Sequence, residues 1–142
     1  EALRIRRDVY SGYLKLNGKE HLFTVTAAYN YTASLLKLER FKEAKSLMHR
    51  LLPVARRILG DSHNLTLEMR WLYAETLYKD DGATLDDIRE AVTTLEDIEP
   101  IARRVLGGAH PRTMAIERTL QKARAAREAK ATEAITPGTR DG

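Results

Sequence analysis

The phrase "PVARRILGDSHNLT", beginning at Pro53, returns almost unchanged as "PIARRVLGGAHPRT" at Pro100. Eight of the fourteen positions are identical, and two more exchange Val with Ile. Aligning the two exposes a shorter third copy upstream: His21-Leu22-Phe23-Thr24, His63-Asn64-Leu65-Thr66 and His110-Pro111-Arg112-Thr113 all spell H-x-x-T. The first two His lie 42 residues apart and the next two 47. A period in this range marks a repeat array, in which each unit is one supersecondary motif that buries its apolar face on its neighbours. The extra five residues fall near "DDGAT" at 80–84, a turn-like stretch where an insertion costs little.

Inside a unit the apolar spacing predicts two helices. The first spans roughly 21–38, with Val25, Ala28, Thr32 and Leu35 at three-to-four spacing, flanked by Tyr31 and Leu38. A break near Glu39-Arg40 leads to a second, roughly 41–59, carrying Phe41, Ala44, Leu47, Met48, Leu51 and Leu52. The next unit repeats the scheme with Leu65, Met69, Leu72, Tyr73, Thr76 and Leu77. Its second helix starts at Leu85, where Thr84 and Asp87 can form a capping box, and carries apolar residues from Ile88 to Val105. A last helix opens at Pro111 and runs through Ile116, Leu120 and Ala123 to about Ala131.

The repeated phrase is then an exit, a turn and an entry. Arg56-Arg57 and Arg103-Arg104 sit in the last turn of a helix, at the negative end of its dipole. Gly60 and Gly107 follow as expected left-handed caps, and His-x-x-Thr opens the next helix. Pro53 and Pro100 lie inside the second helices, so a bend is expected there.

The charge pattern limits the classes of partner. Net charge is +4, and basic residues do cluster: Lys37 to Arg57 holds seven Lys/Arg against Glu39 and Glu43. Yet Asp80 to Glu99 holds eight acids and one base, a neighbour that a phosphate-binding face would not normally carry. Mutual compensation between the two helices, or steering of a mixed-charge partner, is expected instead. There is no Cys, hence no disulfide, thiolate metal site or Cys nucleophile. No apolar run approaches the roughly 18 residues of a membrane span, and "EALRIRRDVY" lacks a signal-peptide core. A soluble intracellular protein is expected, and the missing initiator Met suggests a processed, trimmed or partial chain.

At these residues the chain resembles the tetratricopeptide repeats of the kinesin-light-chain type. The resemblance rests on Asn30-Tyr31-Thr32, Leu35-Leu36, Glu39-Arg40-Phe41, Glu43-Ala44 and Leu59-Gly60…His63…Thr66, and extends over about residues 16–113. It departs at Glu39, where the family has Gly, at Leu72, where it has Asn, and at Asn64, where it has Pro. The resemblance implies an all-α solenoid of antiparallel helix pairs, about six helices, right-handed. One domain over 1–131 would comprise a leading helix (1–19), a first repeat (20–60), a second (61–107) and a capping helix (108–131), with a flexible tail at 132–142.

Catalytic motifs are absent: there is no Gly-rich phosphate loop, G-x-S-x-G or H-E-x-x-H. Repeat-related His are too far apart to share a metal, His49 stands alone, and "DDGATLDD" lacks the order of a calcium loop. No catalytic residue, metal or cofactor is therefore expected. In the family that the chain resembles, first helices line a concave surface that contacts peptides. Position by position, this implies a groove of Thr26, Tyr29, Asn30, Ala33, Leu36 and Lys37, then Glu68, Trp71, Glu75, Tyr78 and Lys79, then Arg118 and Lys122. Trp71 fits core and groove about equally. A non-catalytic module binding a protein or peptide partner is the expectation. The alternatives are a structural subunit of a larger assembly, docking through its convex face or terminal helices, and nucleic-acid binding through Arg4, Arg6, Arg7 and the basic last helix.

Overall fold

Six helices follow one another along residues 1–135, the part of the chain that this computed structural model describes. They are α1 (Ala2–Asn17), α2 (Leu22–Lys37), α3 (Phe41–Leu59), α4 (Asn64–Tyr78), α5 (Leu85–Leu106) and α6 (Pro111–Ile135), with no strand among the described residues. The expected tail at 132–142 begins too early. Thr132 to Ile135 prolong α6, because no helix breaker stands before Pro137, and the remainder lies outside the described residues.

The junctions between units form as punctuation requires, with one more shared residue than the sequence alignment used. Gly18, Gly60 and Gly107 each stand three residues before the His, at φ of +77°, +89° and +96°. Each donates its N–H to the carbonyl four residues back, Leu14, Arg56 and Arg103, at 3.0 Å. Their ψ values of 176°, 162° and 151° put them outside the left-handed helical region expected for Gly60 and Gly107. They occupy instead the extended positive-φ region that only glycine populates readily, which turns the chain away from the helix axis. The His then cap the next helices: Nδ1 of His21, His63 and His110 accepts the N–H of Phe23, Leu65 and Arg112 at 3.1, 3.0 and 3.0 Å. The three Thr of the motif are wholly buried.

The turn after α2 closes differently. Arg40 N–H reaches the Leu35 carbonyl and Glu39 N–H that of Leu36, both at 2.9 Å, the paired bonds of a Schellman cap. Glu39 takes φ +59°, the place where glycine is usual. The expected box at Thr84 is present: Asp87 N–H donates to Thr84 Oγ1, and Thr84 N–H to Asp87 Oδ2, each at 3.1 Å. Burial tends to raise the Asp87 carboxyl, but the hydrogen bonds from Lys45 and Thr84 outweigh it and hold Asp87 below its ordinary value. Helices α3 and α5 run uninterrupted through Pro53 and Pro100. Both prolines, and His49 and Glu96 whose carbonyls lose a donor, are exposed, so water can serve those carbonyls.

Each helix packs on the next in sequence, and α2–α4 and α4–α6 also touch, which makes α2, α4 and α6 one row. Helix α4 is its centre, with nine of fifteen residues buried. The predicted stripe of α2, Val25, Ala28, Thr32 and Leu35, is buried, as are Ala44, Leu47, Met48 and Leu51 of α3. Val105, expected among the apolar positions of α5, is instead exposed in its last turn, and Leu38, expected to flank the stripe of α2, is exposed at its C-cap. Helix α1 has no buried residue.

Among the described residues the opposite charges of α3 and α5 meet in an ion pair at Lys45–Asp87, 2.9 Å. Helix α3 packs on α2 and α4, and α5 on α4 and α6, rather than on each other, so the acids of α5 find bases elsewhere. Asp97 faces the buried Arg70 at 3.5 Å, Glu96 faces Arg124 of α6 at 2.9 Å, and Glu99 holds Arg103 at 2.6 Å.

Candidate functional site

Helices α2, α4 and α6 carry twelve of the thirteen candidate residues, Lys79 is the C-cap of α4, and none of the thirteen is fully buried. Lys37, Lys79, Arg118 and Lys122 are exposed, and the other nine are half-buried. They fall into separate groups.

One group bridges all three helices. Arg112 of α6 donates to Glu68 Oε1 of α4 in a charge-assisted bond. Tyr29 of α2 adjoins this pair: burial raises its hydroxyl above the ordinary 10.0, the Glu68 carboxylate raises it further, and Arg112 opposes the rise. Arg112 was not among the residues expected from the sequence. Its only signal there was a place in the first turn of the last helix.

Trp71 forms a second link. Its ring packs against the core, and Nε1–H donates to Thr119 Oγ1 of α6 at 2.9 Å. The Thr119 hydroxyl donates in turn to the Ala115 carbonyl at 2.9 Å. Trp71 thus braces α4 to α6 while keeping part of its ring open, and a Trp71 variant reports on stability as well as on binding.

The third group is a shallow depression lined by Ala33, Leu36 and Lys37 of α2, Glu39 of the turn, Phe41 of α3 and Lys79 just beyond α4. Four of these six are candidate residues. Glu75 Oε2 holds Lys79 Nζ at 2.8 Å. Tyr78 packs on the core nearby, its hydroxyl pushed up to about 12 by burial and by Glu75. The depression therefore has an apolar floor between two ammonium groups. From the sequence, Phe41 is an apolar residue of the second helix and Glu39 part of the break before it, and neither is a groove candidate.

The remaining candidates separate. Thr26 and Asn30 line a cleft on the other flank of α2, beside Val9 and Tyr13 of α1. Arg118 and Lys122 stand exposed on α6, and no ion pair ties either to the row among the described residues. Of the terminal arginines, Arg4 pairs with Glu1 at 3.3 Å and Arg7 with Asp8 at 3.7 Å. In the acidic loop, Asp80 Oδ1 accepts the Gly82 N–H at 2.9 Å, while Asp87 is engaged in the cap of α5. Among the described residues no cluster of three His, Asp or Glu could hold a metal ion, and no helix is long and apolar enough to cross a membrane.

Compared with known proteins, the chain matches no protein-family model and no curated protein.

Proposed function

We propose that the chain is a tetratricopeptide-like solenoid of the kinesin-light-chain-like type, and that it holds a peptide segment of a partner protein on the face of α2, α4 and α6 without catalysing a reaction. The observation that carries this reading is the meeting of Ala33, Leu36, Lys37 and Lys79 around one depression. These residues come from helices 42 positions apart in the sequence register, and a repeat fold explains why they share a face. Leu36 and Phe41 offer an apolar seat, and Lys37 and Lys79 offer donors to a carboxylate beside it. An extended segment with one apolar anchor and one adjacent acid fits that chemistry.

The test is capture of partners from the source cell's lysate by the wild-type chain and by a Lys37→Glu/Lys79→Glu variant. Both lysines are exposed, so the variant should keep its helical circular dichroism. The proposal expects the variant to lose the captured partner. Retention of the same partners at equal yield would overturn it.

A further inference from the structure

Besides the junction glycines, one described residue takes a positive φ: Glu39, at +59° in the turn between α2 and α3. A side chain is crowded there, and the residues that best replace glycine are Asn and Asp, whose short polar groups bond to the local backbone. Glu39 is neither. It is exposed, and its carboxylate takes part in no hydrogen bond or ion pair among the described residues, the neighbouring Arg40 being held by Glu43 at 2.7 Å. Where the backbone takes a positive φ at Gly18, Gly60 and Gly107, the chain uses glycine. The turn itself thus gives no reason for a glutamate. Strain that the local structure does not offset points to what the side chain meets outside the turn.

Outside the turn, Glu39 stands where two depressions meet. With Phe41 it lines the one that holds Leu36, Lys37 and Lys79, and the same two residues line a second with Arg40, Lys42, Glu43 and Asp80. The charge balance changes across Phe41. On the first side Lys37 and Lys79 face one carboxylate. On the second, Arg40 and Glu43 cancel, and Lys42 faces two carboxylates, Glu39 and Asp80. Glu75 engages Lys79, so in the first depression the charges left without an ion pair among the described residues are Lys37 and Glu39. A carboxylate brought to Lys37 and Lys79 enters the same depression as the carboxylate of Glu39. Like charges so placed repel, and a cation arriving at Glu39 with the same segment removes the repulsion.

We infer that Glu39 sets the specificity of this face: the segment held there carries a Lys or Arg on the far side of its apolar anchor from the acid. The inference rests on the reading of the α2–α4–α6 face as a peptide site. In an extended segment, residues two apart point to the same side. Acid, anchor and cation therefore occupy every second position. The acid lies over Lys37 and Lys79, the anchor on Leu36 and Phe41, and the cation at Glu39 and Asp80. Glycine at position 39 would relax the turn and lose the carboxylate, which is why the chain keeps the strained residue.

The probes are the end-blocked peptides Asp-Gly-Leu-Gly-Lys and Lys-Gly-Leu-Gly-Asp, one for each chain direction, and versions of both with Gln or Glu in place of Lys. Binding to the full chain, labelled with nitrogen-15, is read from the shifts of its backbone amide signals. In the direction that binds, wild type should hold the Lys peptide about threefold more tightly than the Gln peptide, as an exposed ion pair gives. Glu39→Gln should erase that preference, and Glu39→Lys should reverse it in favour of the Glu peptide. Glu39→Gly should also erase it while raising the midpoint of thermal unfolding, a loss of selectivity with a gain in stability that a purely structural residue does not show. Equal binding of Lys and Gln peptides by wild type, or a preference that survives Glu39→Gln, would overturn the inference. The two proposals fail distinguishably. Peptides that bind, lose affinity for the Lys37→Glu/Lys79→Glu variant and ignore the Lys-to-Gln exchange sink only the role of Glu39. No shift at Leu36, Lys37 and Lys79 with any peptide sinks the peptide site and the inference with it.

Discussion

A histidine at a helix N-terminus must present an unprotonated ring nitrogen to accept a backbone N–H, and His21, His63 and His110 all do so through Nδ1. The three repeated His are thus structural acceptors set one per unit, which answers why the phrase recurs. Replacing His63 with Ala should cost about 1 kcal/mol, the usual worth of a side-chain N-cap, whereas His63→Asn should retain most of it. Urea unfolding of the three proteins, followed at 222 nm (far-ultraviolet circular dichroism), checks the order. The same scale shows what one-dimensional reading could not supply. Trp71 meets Thr119 across 48 residues and Glu68 meets Arg112 across 44, and neither pairing leaves a periodic trace. Arg70 is buried at a position that is Ala28 in the preceding unit, so its burial contradicts its residue type.

Helix boundaries, by contrast, were legible, because they are set by local chemistry. The Thr84–Asp87 box, Pro111 at the start of α6 and the glycines after α3 and α5 each act within one turn. What local chemistry left open was backbone detail, such as the extended ψ of the junction glycines. The turn between α2 and α3 offers a test at this scale. Glu39 holds φ +59° in a Schellman cap, a conformation that costs a non-glycine residue about 1–2 kcal/mol. Its side chain makes no hydrogen bond that would offset the strain among the described residues. Glu39→Gly should therefore stabilise the chain by about 0.5–1 kcal/mol, after the greater freedom of glycine in the unfolded state is subtracted. The midpoint of thermal unfolding should rise; a fall would mean that Glu39 is held by contacts other than its turn.

At the scale of the whole molecule, the two ends differ in kind. Helix α6 carries Glu117, Gln121 and Arg124 at the register positions of the α2 stripe residues Ala28, Thr32 and Leu35, whereas α1 exposes Ile5 and Val9. The row of first helices between them carries the proposed peptide face, and its membership was only partly readable from the repeat register. The register puts Ala33, Leu36, Lys37 and Lys79 on one face, and they line one depression, because helical spacing and period suffice for that. It could not separate Thr26 and Asn30, which the packing of α1 draws into a different cleft. The measurement that tests the central claim most directly is amide hydrogen exchange on the chain with and without its captured partner. The account predicts new protection in residues 29–37 and 75–79, with little change in α3 and α5. Protection confined to α3 and α5 would contradict it, and would place the working surface on the opposite side of the helix pairs.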